Sequence, residues 1–422
     1  MKKQKIQNTC RISGEKLVPL FTLGDLYMSD FIKDKPKLPQ LELKLMLAPK
    51  SGLVQLEKTP DFDAMYREYW YASGTNKVMR EELKDIVDKG SKYIHIKDGN
   101  TWIDIGCNDG TLLSFIQKGI YRIGFDPAKN GYKEQSSKHA DKIVDDYFTF
   151  ENWKKAGLAK RKANVITSIG MFYDLPDPNK FVRDIKAVMD KEGLWIIQMS
   201  YTPLMLEQLA FDNICHEHLE YYNLHSVKFL LDRNGMEIVD CEINDVNGGS
   251  FRVYIRNKNA NKVLYATAPQ RSVADYRIKT MLDYEKRTGQ NKKSTYMKFF
   301  KEISKLKKQT VDFIKKEKKR GKVIWGQGAS TKGNTLLQWF ELDETLIDAI
   351  SERQERKFGL KTAGTNIPIK SREDMRKAKP DYVLVLPWHF IGEIVQDEQK
   401  FLDEGGAFIV PCPKFEIIRK KK

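Results

Sequence analysis

The sequence predicts an α/β protein in which two Rossmann-like domains follow a small N-terminal module. From about residue 76, helical and strand-like stretches alternate, as in NKVMREELKDIVDKG, TWIDIG, DGTLLSFIQKG and YRIGFD. The alternation restarts after a basic helical stretch, with KVIWGQGAS, LIDAIS and DYVLVLP. Such alternation is typical of a parallel sheet covered by helices on both faces. A chain of 422 residues is also long enough for several domains.

Three regions follow from these patterns. Residues 1–75 are irregular and rich in proline, with strand-like stretches such as LVPLFTL and LVQLEK, which indicates a small module. Residues 76–285 are expected to form the first Rossmann-like domain, and residues 286–422 the second.

The composition indicates a folded, soluble protein. Hydrophobic residues make up 41% and charged residues 31%, and no apolar run reaches the ~18 residues of a membrane helix. The first residues, MKKQKIQNTCRISGEK, are basic but lack the apolar stretch of a secretion signal, so a cytoplasmic location is expected. Five widely spaced cysteines give no support to a disulfide framework.

The chain carries a net charge of +16, from 73 basic and 57 acidic residues, which favours anionic partners such as phosphates, nucleotides or nucleic acid. Much of this excess lies in residues 292–322, where lysines alternate with apolar residues at helical spacing. A solvated connecting helix is the preferred interpretation, because charge runs are usually solvated. A nucleic-acid-binding surface is the alternative, although no zinc finger or RNA-binding signature accompanies it.

The motif TWIDIGCNDGTLL, residues 101–113, combines a strand, a glycine turn and the start of a helix. A dinucleotide site would need G-x-G-x-x-G, whereas this turn is acidic and carries Asn108 at the middle position. Carboxylates suit a cation, and Asp126 after the next strand can accept hydrogen bonds from both ribose hydroxyls. The motif therefore favours S-adenosylmethionine (SAM) over NAD, with a turn that only packs a helix on a strand as the alternative. The expected cofactor-binding residues are Asp104, Gly106, Asn108, Asp109, Gly110, Asp126 and Asp146.

The segment FDNICHEHLEYYNL, residues 211–224, is the densest group of proton-transfer side chains in the chain. It follows the strand GLWIIQMS closely enough to lie over the carboxyl edge of the sheet, near the methyl donor. His218 is the candidate general base with His216 in reserve, and Glu217 can orient the imidazole or hydrogen-bond a substrate. A zinc site lacks the H-E-x-x-H spacing, and a pair of satisfied surface histidines is a further alternative.

Six blocks in order resemble the SAM-dependent C-methyltransferases that act on nucleotide-linked keto-deoxysugars, and together they span nearly the whole chain. The resemblance implies a small N-terminal zinc-binding domain, a central class I SAM methyltransferase domain and a C-terminal Rossmann-like domain that helps to hold the sugar nucleotide. It also implies catalytic roles within the ICHEH segment and for Tyr71, which matches a site tyrosine of the family. The blocks are MYREYWYASGTN, IDIGCNDGTLL, FDNICHEHLEYY, NGGSFRVYIRN, WGQGASTKGNTLL and LPWHFIGEI.

The sequence departs from this family pattern at metal and active-site positions. The two expected CxxC pairs read CRIS at residues 10–13 and APKS at residues 48–51, so one thiolate remains of four. We therefore predict no structural zinc and no other metal. Cys215 stands where the family carries a catalytic tyrosine, and Tyr173 and Asp174 stand where a further active-site histidine is expected.

The motif GQGASTKGNT, residues 326–335, is a glycine-rich turn between a strand and a helix. It lacks the Gly-Lys-Ser/Thr ending of a P-loop, but its N–H groups and one lysine can cradle a diphosphate. A packing domain without a ligand is the alternative, since one glycine-rich turn is a weak signal. The expected substrate-binding residues are Tyr222, Arg252, Gly328, Ser330, Lys332 and Asn334.

The leading hypothesis is C-methylation of a nucleotide-linked keto sugar, in which a base generates an enolate that attacks the methyl group of SAM. O- or N-methylation of a related sugar or small molecule is the second hypothesis, because oxygen and nitrogen already carry a lone pair. A non-catalytic basic binding protein is the third, and an NAD oxidoreductase is disfavoured by the acidic turn. We expect a small-molecule partner, no membrane or nucleic-acid partner, and a monomer or homodimer.

Overall fold

The computed structural model describes residues 5–36, 39–61, 65, 73–75, 77–128, 132–260 and 268–420. The N-terminal region is built from antiparallel strands, which are β1 (Lys5–Ile6), β2 (Val18–Tyr27), β3 (Phe31–Ile32), β4 (Gln40–Leu47), β5 (Val54–Leu56) and β6 (Lys58–Thr59). Strand β2 pairs with β4, β4 pairs with β5, and β1 pairs with β6. Leu41, Leu43 and Leu45 are buried, because alternate side chains of one strand point to the same face.

The central region alternates between helices and strands, as predicted. Short 3₁₀ turns lie at Ser73–Thr75, Phe172–Asp174, Phe211–Asn213 and Val246–Gly248. The longer elements are α1 (Lys77–Tyr93), β7 (Thr101–Ile105), α2 (Thr111–Phe115), β8 (Tyr121–Phe125), α3 (Tyr132–Ser136), β9 (Lys142–Val144), α4 (Phe150–Lys155), β10 (Ala163–Ile169), α5 (Pro178–Val188), β11 (Met189–Ser200), α6 (Thr202–Glu207), β12 (Glu220–Tyr221), α7 (Leu224–Arg233), β13 (Met236–Asn244), β14 (Ser250–Asn257) and α8 (Ala268–Thr288).

Seven of these strands form one sheet in the order β13-β14-β11-β10-β7-β8-β9. The five strands from β11 to β9 are parallel, and β13 and β14 add an antiparallel edge. Every residue of β7 is buried, because helices cover both faces of the sheet. The carboxyl ends of the parallel strands therefore meet at one edge, where a site can form.

Two long helices join the central and C-terminal regions. Helix α8 packs on β13, and its Glu285 accepts hydrogen bonds from the N–H groups of Leu224 and His225, so the predicted boundary at residue 285 falls inside a helix of the central domain. The basic stretch forms α9 (Lys293–Lys319). Its Phe299, Ile303 and Ile314 are buried in the core while most of its lysines lie outside, so it is an amphipathic connecting helix.

The C-terminal region forms a second α/β sheet, with strand order β18-β16-β15-β19-β20-β21 and only β21 antiparallel. Short 3₁₀ turns lie at Glu355–Lys357 and Trp388–Phe390. The elements are β15 (Ile324–Gln327), α10 (Thr331–Phe340), β16 (Ala349–Glu352), β17 (Lys361–Thr362), β18 (Ile369–Ser371), α11 (Arg372–Ala378), β19 (Tyr382–Val385), α12 (Ile391–Asp397), α13 (Gln399–Asp403), β20 (Ala407–Val410) and β21 (Glu416–Ile418).

Strands from different regions of the chain pair with each other. Strand β12 of the central region pairs with β5 and completes a four-stranded sheet in the order β12-β5-β4-β2. Strand β3 of the N-terminal module pairs with β17 of the C-terminal domain. Among the residues that the structure describes, no helix is both long and apolar enough to span a membrane.

Candidate active site

A cavity of about 580 Å³ lies between the carboxyl edge of the central sheet and the C-terminal domain. The turn after β7 and the end of β8 line one part of it, and Glu217 and His218 line another. The C-terminal domain contributes residues 330–332, Pro387, His389 and Phe390. This volume falls in the range of ~300–1,000 Å³ that is usual for small-molecule sites.

The turn between β7 and α2 forms the predicted cofactor end of the cavity. Gly106 and Asn108 adopt positive φ angles of 74° and 49°, which lets the chain reverse tightly after the strand. The Asp126 carboxylate accepts hydrogen bonds from the N–H groups of Asn108 at 2.8 Å and Ala128 at 2.9 Å. Each carboxylate oxygen keeps a lone pair that can accept a ribose hydroxyl. The lining includes Asp104, Gly106, Asn108 and Asp126.

Two carboxyl groups, those of Asp104 and Asp126, lie at this end of the cavity and can interact with a bound cation. Burial raises the pKa of Asp104 to about 7, although the Thr167 hydroxyl donates to it at 2.7 Å. Burial also raises the pKa of Asp126, against the effect of its two N–H donors. A positive charge bound beside these groups would favour their ionised forms. The residues present therefore fit the sulfonium, ammonium and ribose groups of SAM.

Three predicted cofactor residues support this turn from behind the cavity lining. The Asp109 carboxylate accepts a hydrogen bond from the N–H of Gly74 at 2.7 Å. A Cβ atom at Gly110 would lie 2.7 Å from the Cα of Ser136, so this position needs glycine. Asp146 accepts a hydrogen bond from the following N–H group at 2.8 Å and lies outside the lining. These contacts shape the turn and its neighbouring loop.

His218 lines the cavity and offers one ring nitrogen as a proton acceptor. Its Nδ1–H donates to the carbonyl oxygen of Asn213 at 2.8 Å, so Nε2 carries the lone pair. Burial, helped by the charge of Lys332, lowers the pKa of His218 to about 3 and keeps the ring neutral at physiological pH. The ring of Tyr173 packs against it with the ring centroids 4.2 Å apart. The side chain is therefore a fixed, neutral imidazole.

Glu217 is an acid that lines the cavity. Burial raises its pKa to about 7, while hydrogen bonds from Thr331 and Cys215 and the charge of Lys332 oppose the rise. The Cys215 Sγ lies 3.8 Å from the Glu217 Oε2. Burial raises the pKa of the Cys215 thiol well above its ordinary value, so this residue stays a neutral thiol.

His216 lies outside the cavity, which corrects its prediction as a reserve base. Its Nε2–H donates to the carbonyl oxygen of Leu41 in β4 at 2.8 Å, and burial lowers its pKa to about 4. The ring therefore fastens this segment to the N-terminal sheet. Tyr222, predicted to bind substrate, is also fully buried, with its ring 5.3 Å from that of Phe172 and away from the cavity lining.

Arg252 is a further correction, because its guanidinium is held by carboxylates in the interior. It contacts Glu82 at 2.6 Å, Asp85 at 3.0 Å and Glu242 at 3.1 Å, with only 1% of its side chain exposed. Its Nε–H donates to the amide oxygen of Gln198 at 2.8 Å. This arginine cannot reach a phosphate in the cavity, but it orients Gln198, which lines the cavity.

The start of α10 forms the C-terminal wall. Ser330 caps the helix with its hydroxyl oxygen, and both Ser330 and Lys332 line the cavity. Gly328 lies behind this wall, where a Cβ atom would come within 2.8 Å of Pro387. Asn334 is buried, and its amide donates to a backbone carbonyl of the N-terminal module at 3.0 Å. The last two residues therefore build the wall without facing the ligand.

Sequence reasoning missed His389 and Gln198 as cavity residues. His389 follows β19, and burial together with the charge of Lys332 lowers its pKa to about 3. Its neighbour Trp388 donates to Asp212 at 3.2 Å and fixes this loop on the central domain. The available signals were a polar residue after an apolar strand in LPWHF and a lone amide in GLWIIQMS. Tyr71 lies outside the residues that the structure describes.

Hydrogen bonds hold the two N-terminal loops that replace the CxxC pairs. The Cys10 Sγ lies 3.4 Å from the Ser51 Oγ. The Glu15 carboxylate accepts hydrogen bonds from the N–H groups of Lys50 at 3.0 Å and Ser51 at 2.9 Å. Within the described ranges, no group of three His, Cys, Asp or Glu side chains is placed to hold a metal ion.

The parallel sheet and the acidic turn after β7 fit the class of methyltransferases that use SAM. Residues 75–240 match the methyltransferase domain family, and residues 245–413 match the C-methyltransferase C-terminal domain family. The C-methyltransferase NovU of Streptomyces niveus is 28% identical over 381 residues, covering 89% of this chain and 87% of NovU. These similarities confirm the predicted resemblance to the C-methyltransferases.

Two solved structures align with less than half of the chain. The plantazolicin methyltransferase BpumL, solved in complex with SAH, shows 13% identity and a TM-score of 0.34, with 42% of this chain and 82% of that chain covered. The N-methyltransferase NodS from Bradyrhizobium japonicum WM9 shows 10% identity and a TM-score of 0.33, with 43% of this chain and 98% of that chain covered.

Proposed function

We propose that the protein methylates a carbon atom next to the keto group of a nucleotide-linked sugar. The observation that carries this proposal is the fixed tautomer of His218, because methylation at carbon needs a base and the Nε2 lone pair supplies one. The similarity to NovU, which is named a C-methyltransferase, supports the choice of carbon over oxygen or nitrogen.

The chain supplies the groups for the proton transfer. The Nε2 of His218 removes the proton from the carbon, and the electrons of that C–H bond pass to the keto oxygen to form an enolate. Asp104, Asn108 and Asp126 would hold SAM, which would supply a methyl group to the enolate carbon while the electron pair of the broken S–CH3 bond stays on sulfur in S-adenosylhomocysteine. Cavity walls from both domains keep the imidazole out of bulk water, which keeps it neutral before the reaction.

The nucleotide part of the substrate rests on the C-terminal wall. The free backbone N–H groups at the start of α10 lie at the positive, N-terminal end of the helix dipole, which favours anions. Ser330 caps this end of the helix and lines the cavity. The net charge of +16 favours an anionic substrate. The resemblance in WGQGASTKGNTLL is consistent with a sugar nucleotide, so we assign the diphosphate to this end of the cavity.

Mass spectrometry of the enzyme with SAM and a panel of nucleoside-diphosphate-linked keto sugars tests the proposal. We expect one product that is heavier by a methyl group, with NMR placing the new carbon on a ring carbon. A methyl group on oxygen or nitrogen would instead favour the second hypothesis. Absence of any methylated product across the panel would contradict a sugar nucleotide as substrate.

The His218→Asn variant tests the base. Methyl transfer should fall by about 10²-fold or more, because positioned general bases contribute that much, while SAM affinity stays within about twofold. Exchange of the substrate hydrogen with deuterated water should stop as well. His225→Asn is the matched control, because His225 is exposed on α7 and lies outside the cavity. Full activity of His218→Asn would exclude this imidazole as the base.

A further inference from the structure

Lys332 is a cation that lines the reaction cavity. It is the second residue of α10, and among the residues that the structure describes no carboxylate lies within ion-pair distance of its Nζ. Lys180, which also lines the cavity, differs because its ammonium contacts Asp184 at 2.6 Å. Lys357 on the same domain donates to the carbonyl oxygen of Ala329 at 2.7 Å. The positive charge of Lys332 is therefore available to a ligand.

This charge acts on the proton-transfer group of the central domain. It lowers the pKa of Glu217 and of His218, which both line the cavity, and also acts in this direction on His389 and Asp212. The residue before it, Thr331, hydrogen-bonds to Glu217 across the domain boundary. Lys332 and the candidate base therefore line the same cavity, and the charge of Lys332 acts on the imidazole.

The position of this cation matters for the chemistry. When His218 takes a proton from carbon it becomes an imidazolium, and the nearby ammonium opposes that change. The repulsion between the Lys332 ammonium and the His218 imidazolium is offset if negative charge develops between them while the proton is transferred. A cation fixed where charge develops stabilises the transition state more than the ground state, and a cavity shielded from water strengthens the effect.

We propose that the Lys332 ammonium contacts the keto oxygen of the substrate and stabilises the enolate formed when His218 removes the proton. The bond broken is the C–H bond, the proton goes to Nε2 of His218, and the electron pair ends on the oxygen beside Lys332. This role rests on the proposed function and makes the C-terminal domain part of the reaction centre. It moves Lys332 from the diphosphate, where the sequence placed it, to the keto group.

The placement of Lys332 can be tested without a substrate. The Glu217 carboxyl is followed by NMR in protein labelled with ¹³C-glutamate, with Glu217→Gln used to assign the signal. Lys332→Met should raise the titration midpoint of Glu217 above the wild-type value, because a neighbouring cation is lost. Lys377→Met is the control, since Lys377 is exposed on α11 in the same domain. An unchanged midpoint in Lys332→Met would overturn the placement.

The role in catalysis is tested with the panel member that the wild-type enzyme methylates. Lys332→Met should lower the rate of hydrogen exchange and of methyl transfer at saturating substrate by about 10²-fold or more, with SAM affinity unchanged. Lys332→Arg, which keeps the charge, should retain more activity than Lys332→Met. A rise in KM with an unchanged kcat would return Lys332 to phosphate binding and overturn the proposal.

The two proposals fail in different ways. A wild-type enzyme that exchanges no hydrogen of any panel member removes the proposed function, and the role of Lys332 falls with it. A wild-type enzyme that exchanges hydrogen while Lys332→Met exchanges it equally fast removes only the role of Lys332. Circular dichroism of each variant checks that a lost activity does not come from a lost fold, and Lys332→Gln replaces Lys332→Met if the latter is unfolded.

Discussion

Arg11 of the N-terminal module lies 3.0 Å from Glu220, and both side chains are almost completely buried. Glu220 follows His218 by two residues and belongs to β12, which pairs with β5 of the module. Burial opposes the ionised form of Glu220, and the guanidinium of Arg11 at 3.0 Å favours it. The ion pair thus joins the module to the segment that carries the candidate base.

Replacing Arg11 by methionine should destabilise the protein. Glu220 would remain buried without its partner, and such losses usually cost about 3–5 kcal/mol. Urea unfolding followed by circular dichroism measures the change. Lys228→Met, which breaks the exposed pair with Asp232, should cost less than about 1 kcal/mol and serves as the control. A similar small loss for Arg11→Met would show that the buried pair contributes little.

Asp126→Ala should weaken SAM binding about tenfold or more. The carboxylate is expected to accept two ribose hydroxyls, and hydrogen bonds to a charged group contribute about 1.5–3 kcal/mol each. Isothermal calorimetry gives the affinity. Asp145→Ala changes an exposed acid that pairs with Lys133 nearby and should leave the affinity within about twofold. Equal affinity of Asp126→Ala and the wild type would refute the assignment.

SAM binding should release protons at pH 7. The pKa of Asp104 is about 7 in the free protein, and a bound cation would favour its ionised form, so about half a proton should leave this group. Calorimetry in buffers of different ionisation enthalpy measures the number released. Asp104→Asn should release correspondingly fewer protons, and an unchanged number would place the titrating group elsewhere.

Glu217 should make the protein less stable as the pH rises from about 4.5 to above 7. Its pKa is raised from 4.5 to about 7 by folding, so its favourable contribution is complete below the unfolded value and is lost as the pH rises through the folded value. Glu217→Gln removes this dependence and should be more stable than the wild type at pH 8 by about 3 kcal/mol.

The free energies of unfolding at pH 5, 6, 7 and 8 check this prediction. The difference between Glu217→Gln and the wild type should grow with pH, whereas the exposed control Glu134→Gln should show a difference that does not change with pH. A flat difference for Glu217→Gln as well would mean that Glu217 titrates near its ordinary pKa in the folded protein.

The positions of those candidate site residues that belong to one strand and the turn after it could be predicted from the sequence. Asp104 and Asp126 end neighbouring parallel strands, so their positions follow from the strand and turn pattern alone. The prediction that Arg252 binds the substrate was wrong because its partners Glu82 and Asp85 lie on α1, far away in the sequence. The sequence gives the charge of such a residue but not the buried carboxylates that surround it.

The docking of domains was equally hard to read from sequence. His216 was predicted beside His218, but the N-terminal sheet provides a carbonyl oxygen that draws its ring away from the cavity. His389 was missed because only the packing of the C-terminal domain on the central domain brings it there. The hydrophobic periodicity of the sequence predicts the strands and helices of each sheet, but it does not predict how two sheets pack against each other.

Because β3 pairs with β17, the N-terminal module cannot form all of its strand pairs until the C-terminal domain has been synthesised. Phe31 and Ile32 pair with Thr362 and Lys361, which are separated from them by about 330 residues of chain. At the usual ribosomal speed of about 5–20 residues per second, the first strands wait roughly 15–65 s for their last partner. During that interval the edge of β3 is unpaired, which is the condition under which nascent chains associate wrongly. The newly made chain would therefore gain from a holding chaperone until its C-terminal domain has left the ribosome.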